Sequence, residues 1–174
     1  MANTFILISS NTLSSSTGSI TFSSIPATYT DLILMISARA DSVTTFASSI
    51  MTYNGVTSSS VYGDKYLNAD GAGTVTGNRD TSDTKIYSGY INAANATANS
   101  FGASEIYFSS YGNGAYKVSG HDFSAIWNNA STSLTLRSGL YTQNTAIGSI
   151  TISPISGANW VANSTFSLYG IKKS

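Results

Sequence analysis

Few residues in this chain have the types that chemistry needs. There is a single histidine, His121, followed by Asp122, and serine is abundant enough for a Ser–His–Asp triad to be drawn on paper. A triad is defined by geometry rather than by composition. No G-x-S-x-G turn, which would raise a serine above a sheet, accompanies the pair. His121 and Asp122 therefore read as the start of a strand, with Asp122 solvated or paired to a neighbour, and no catalytic residue is assigned. Glycoside hydrolysis would need two acids facing each other across a cleft. Glu105 is the only glutamate, and Asp64, Asp70, Asp80 and Asp83 fall in or beside one polar stretch.

Asp70, Asp80 and Asp83 are the set from which a hard-cation site could be built, because such ions take oxygen ligands from loops. The D-x-[DN]-x-[DN]-G-x5-E pattern is missing, so solvated turn residues are the better reading, and no metal or cofactor is expected. Gly71-Ala72-Gly73-Thr74-Val75-Thr76-Gly77 resembles a dinucleotide fingerprint only superficially. Its third glycine is one place late, and neither a strand–helix unit nor a trailing acid accompanies it. The N-x-[ST] triplets at Asn95, Asn129 and Asn163 match what chance supplies in a chain this rich in Asn, Ser and Thr. Trp160, in Ser-Gly-Ala-Asn-Trp-Val-Ala-Asn-Ser, is the best candidate for stacking on a sugar, since an indole has a flat apolar face and a polar tip. The favoured reading is that Trp160 closes one end of a sandwich and that Trp127 is core. Exposed tyrosines serve an oligomer contact equally well.

The elements that position these residues come from the whole composition. The chain has 174 residues, 18.2 kDa, eight basic against eight acidic side chains and 9% charged residues, where roughly a quarter is usual. Ser, Thr and Asn fill the gap and make up about two-fifths of the chain. With no cysteine there are no disulfides, thiolate metal sites or thiol nucleophiles. A net charge of zero argues against nucleic acid as a partner, because phosphates call for a basic patch. The apolar share of 41% is enough to fill a core, and the length suits one domain over residues 1–174. Leu32-Ile33-Leu34-Met35-Ile36 falls far short of the roughly 18 residues of a membrane span and suits a strand covered on both faces. Phe5-Ile6-Leu7-Ile8 is too short for a signal peptide and lacks a basic region before it. A protein made in a cytoplasm, with no membrane partner, is expected.

Val, Ile, Thr, Tyr and Phe recur in short alternating blocks, which mark strands with one buried face. The blocks are Ile20 with Phe22, Leu32 to Ala38, Ile50 to Tyr53, Tyr62 to Leu67, Ile86 to Ile91 and Ile106 with Phe108. Then come Tyr116 to Trp127, Leu134 with Leu136 and Leu140, Ile150 with Ile152, and Phe166 to Ile171. Asn54-Gly55 supplies the positive-φ pair of tight hairpins, and Gly112-Asn113-Gly114 a further turn. The stretch 68–84 reads as a long mobile loop, and 92–100 as a loop with one helical turn. No helical period long enough for a parallel crossover is present. The expected fold is an all-β antiparallel β-sandwich, of the jelly-roll kind, with about 8–10 strands.

Three stretches carry a family resemblance: Ile20 to Asp41, Ile91 to Phe108 and Ile150 to Ile171, with Tyr-Gly-Asp-Lys-Tyr-Leu at 62–67 between them. In that order, ending in Phe-Ser-Leu-Tyr-Gly-Ile, they resemble small virion structural proteins of tailed bacteriophages, especially aquatic and cyanobacterial ones. The resemblance implies a β-sandwich that decorates and cements the head, or a tail or fibre component. It implies no enzyme activity and no catalytic residues. The expected state is a homo-oligomer, with a trimer favoured, seated on the major capsid protein in a virion assembled in the host cytoplasm. The alternative is a tail-fibre or tail-tip module that binds host-surface polysaccharide through Trp160, tyrosines and the 68–84 stretch. Low charge and only five lysines agree with a subunit whose sheet edges pair with neighbours.

Overall fold

The computed structural model describes residues 4–126 and 131–172, with only the backbone of 80–82. Trp127 and Asn129 lie outside the described residues. Twelve strands are present among them: β1 (Phe5–Thr12), β2 (Ile20–Phe22), β3 (Asp31–Ala38), β4 (Phe46–Tyr53), β5 (Tyr62–Ala69) and β6 (Val75–Asp83). β7 (Ile86–Asn92), β8 (Gly102–Ser109), β9 (Lys117–Ile126), β10 (Thr132–Tyr141), β11 (Ile150–Pro154) and β12 (Thr165–Ile171) complete them. They form an eight-stranded sheet in the order β1-β12-β3-β8-β9-β10-β5-β6 and a four-stranded sheet in the order β2-β11-β4-β7. All the ladders between these strands are antiparallel. The protein is an all-β sandwich, as the alternating blocks require. Its division into eight and four strands departs from a regular eight-stranded jelly roll.

The two inner faces bury Leu32, Leu34, Ile36, Ile86, Ile91, Ile106, Phe108, Ile150, Ile152, Phe166 and Leu168. An aromatic group occupies one region of this core. Tyr53 meets Tyr62, Phe108 and Tyr141 edge-on, and Tyr62 stacks on Tyr141 at 5.1 Å. The Tyr62 hydroxyl accepts from the Tyr53 amide at 2.9 Å and donates to the Val56 carbonyl at 2.9 Å, so a polar tip sits at no cost among rings. Where β7 crosses β9, Gly89 lies against the Phe123 ring. A Cβ there would stand 2.2 Å from a ring atom, so only glycine admits this close approach.

Four local expectations change. Residues 68–84 form a β-hairpin rather than a loop: β5 runs to Ala69, and β6 pairs with it along its length. Its turn is held by the Asp70 carboxylate, which accepts from the amides of Ala72 and Thr74 at 2.9 and 2.8 Å. Residues 93–100 contain turns and no helix. Their carbonyls instead converge on one cation, as the Arg39 guanidinium donates to the carbonyls of Thr97, Ala94, Ala96 and Ser100 at 2.8–3.0 Å. Asn54-Gly55 is the expected positive-φ turn (φ 53° and 67°), but the strands on either side of it lie in different sheets. In β3, Ile33 is covered while Met35 is 43% exposed, so that strand is covered on its outer side only in part.

Candidate functional site

Strands β9, β10 and β5 lie side by side, and the two faces of β10 are the reverse of what its leucines suggest. Lys117, Ser119, His121 and Phe123 of β9 point inward, with Ser133, Thr135, Gly139 and Tyr141 of β10 and Asp64 and Asn68 of β5. Leu134, Leu136 and Leu140 of β10 point outward. The expected inward leucine face of this strand is therefore corrected. The physical reason is the set of polar contacts beneath. Arg137 forms an ion pair with Asp64, both side chains being nearly inaccessible. The guanidinium lies 4.5 Å from the Tyr66 ring centre. The second Asp64 oxygen accepts from the Tyr87 amide at 3.2 Å, and Thr135 donates to the Asn68 side chain at 3.0 Å. Slipping β10 by one residue would bury the leucines but break the contacts that Arg137 and Thr135 make.

His121 belongs to this inner layer. Its Nε2 lies 2.8 Å from the Ser119 hydroxyl and its Nδ1 3.2 Å from the Ser88 carbonyl. A neutral ring satisfies both, with Nδ1–H donating to Ser88 and Nε2 accepting from Ser119. Burial pushes its pKa down to about 4, and nearby Arg137 adds to the shift. Asp122 follows on the opposite face of the strand and is exposed, so the two adjacent residues never meet. Serine and histidine are brought together, but the acid that would complete a triad is not.

The other residues singled out in the sequence are placed as follows. Trp160 is fully buried, donates its indole N–H to the Ile152 carbonyl at 3.2 Å and meets Phe166 edge-on at 5.1 Å. Its ring offers no face to a sugar and closes the sandwich, in line with the favoured reading. Asp70 sits in the β5–β6 turn and Asp83 at the far end of β6, paired with Lys85 at 3.5 Å. Among the described residues no group of three His, Asp or Glu side chains is placed to hold a metal. Asn95 and Asn163 are exposed.

The arrangement that stands out lies on the outer face of the large sheet. Leu67, Val75, Val118, Leu134, Leu136 and Leu140 are 39–68% exposed there. Apolar patches of this kind on a soluble chain mark contact surfaces. The register sets their surroundings. One row across the strands reads Glu105, Asp122, Leu136, Leu67, Gly77, and the next reads Tyr107, Gly120, Ser138, Lys65, Arg79. Gly120 and Ser138 leave an open depression of about 650 Å³, rimmed by Leu136, Leu67 and Lys65. Glu105 stands directly opposite Asp122, and Lys65 directly opposite Arg79; all four are exposed. No protein-family model and no curated protein matches the chain. Sequence reasoning missed this face because three leucines at even spacing signal burial, while the Arg137–Asp64 pair that sets the inner face joins residues far apart in the chain.

Proposed function

We propose that the chain is a virion structural protein of a tailed bacteriophage, of the capsid-decoration or cement type, with no enzymatic activity. The observation that supports it best is the apolar outer face. A sheet that turns three leucines of one strand to solvent, over a polar interior, is built to be covered by protein. The ordered sequence resemblance supplies the virion context, and the strand orders β1-β12-β3-β8 and β2-β11-β4-β7 fit a jelly roll whose first sheet is extended by β9, β10, β5 and β6. On this reading the protein binds the major capsid lattice as an oligomer. Several modest contacts made at once bridge neighbouring capsomers and oppose the outward pressure of packaged genome. The hydroxyl-rich remainder of the surface suits hydrogen-bonded contacts bridged by water.

The test is twofold. Immunogold labelling of virions is expected to mark heads, and label on tails would move the assignment to a tail or fibre component. Virions lacking the protein, with every other protein present, are expected to release DNA at lower temperature than the parent. Unchanged thermal stability of such particles would refute the cement role.

A further inference from the structure

We infer that two copies of this chain associate face to face through the outer side of β5, β6, β8, β9 and β10, about a two-fold axis running along β10. The inference rests on the reading of the chain as a self-associating structural subunit, though not on where in a virion it sits. It replaces the three-fold state expected from the sequence.

Four charges flank β10 on this face. Glu105 and Asp122 face each other across the β8–β9 ladder, and Lys65 and Arg79 across the β5–β6 ladder. Like charges directly opposite destabilise a sheet, and neither pair has an ion-pair partner among the described residues. Both doublets lie on the outer face, one on each flank of β10, whose Leu134, Leu136 and Leu140 form the central ridge. An axis lying in this face along β10 exchanges the flanks. The acidic doublet of one copy then lies over the basic doublet of the other, and the reverse holds on the far side, as an isologous contact requires. The two rows are offset by two residues, about 7 Å along the strands, which lysine and arginine side chains span. An axis running across the strands would set acid on acid, so the charges select one of the two simple orientations. The leucine ridge meets its own copy at the axis and loses water there.

The size of the face sets the strength. From β8 to β6 there are four strand spacings, about 19 Å, and from Leu134 to Leu140 six residue rises, about 20 Å. A projected footprint on the order of 400 Å² per copy is about half the roughly 800 Å² per partner of a standard interface, the size of a weak, transient contact. The contact is therefore a concentration-dependent one.

Sedimentation velocity on the purified chain tests it. The mass is expected to rise with concentration from 18.2 kDa to twice that value and no further. Leu136→Gln with Leu140→Gln, both exposed positions, is expected to weaken association by at least about tenfold while leaving thermal unfolding unchanged. Glu105→Lys with Asp122→Lys places bases over bases and is expected to stay monomeric, as is Lys65→Glu with Arg79→Glu. Mixing these two charge-reversed chains restores both contacts at once, so a heterodimer is expected to form. A chain that stays at monomer mass at every concentration, or reaches a trimer mass, overturns the inference. So does association that ignores these substitutions, or a mixture that fails to pair. None of these outcomes depends on virion labelling, so the two readings fail separately.

Discussion

Acidification from about pH 7.5 to about pH 5 is expected to cost the fold roughly 2 kcal/mol through His121 alone. The imidazole is enclosed between β9, β10 and β7 and bonded to Ser119 and Ser88. Burial, reinforced by Arg137, lowers its pKa from 6.5 to about 4. The folded value is thus below the unfolded one. Between them the unfolded chain binds a proton that the folded chain refuses, so stability rises with pH across this window. The contribution is complete above 6.5 and is lost progressively as pH falls towards 4. Each unit well inside the window is worth about 1.4 kcal/mol, and pH 5 lies about one and a half units in, which gives the figure above. Asp41 does not interfere, because hydrogen bonds from Asn159 hold its carboxyl below its ordinary 3.8 and its loss comes at lower pH. Urea unfolding at a series of pH values supplies the free energies. His121→Gln, which keeps an acceptor and a donor near Ser119 and Ser88, is expected to lose most of the slope between pH 5 and 7. With one histidine in the chain, the imidazole proton resonance reports the folded pKa directly. A flat wild-type profile, a slope that survives in His121→Gln, or an imidazole that titrates near 6.5 would refute the account of a buried neutral ring.

Other expectations follow from close contacts in the core. Gly89→Ala drives a methyl group into the Phe123 ring and is expected to destabilise by about 3 kcal/mol or more, at the upper end of overpacking, read by chemical unfolding. Arg137→Met leaves Asp64 buried without its ion-pair partner and is expected to cost roughly 3–5 kcal/mol. Adding Asp64→Leu should recover most of that loss, and a double variant no better than the single one would show that the pair is not what stabilises this layer. Trp160→Ala is expected to cost about 3–5 kcal/mol, seen as a lower midpoint of thermal unfolding. A Trp160→Ala chain as stable as wild type but unable to adsorb to host cells would instead place the indole at a binding surface.

Much of the sandwich was legible because strands with one apolar face announce themselves. Ile20 and Phe22, Leu32 to Ala38, Ile150 and Ile152, and Phe166 and Leu168 all point where their alternation says. β6 was hidden because an edge strand with no apolar alternation has no period to read: residues 75–79 are exposed on both faces, and Val75 is the strand's one large apolar residue. The Ala- and Asn-rich stretch 92–100 reads as a loop with one helical turn. Its conformation is decided by Arg39, more than fifty residues earlier, which gathers its carbonyls. At the outer face the failure is of another kind. Periodicity told correctly that the leucines of β10 share a face, but which face is buried depends on what lies under it. Arg137 and Asp64 meet only once β10 and β5 are paired, and no local pattern contains that information.

The scarcity of charge bears on how the four outer-face charges are read. In a chain with only 9% charged residues, two directly opposed like-charge doublets occupy one face of one sheet. Exchanging Asp122 with Lys65 would turn each doublet into a cross-strand pair of opposite sign, stabilising the lone subunit by a few tenths of a kcal/mol to about 1 kcal/mol each. The sequence has the arrangement that denies itself this gain. The same holds for the leucines: each of them buried would contribute roughly 1.5–3 kcal/mol, yet β10 is held in the register that exposes them by polar contacts on its other side. Two independent features, one electrostatic and one apolar, are thus each unfavourable in the isolated chain and each relieved by covering the same face. A surface that sacrifices stability twice in one place, and is complementary to itself under one rotation, is explained more economically by a second copy than by any small ligand.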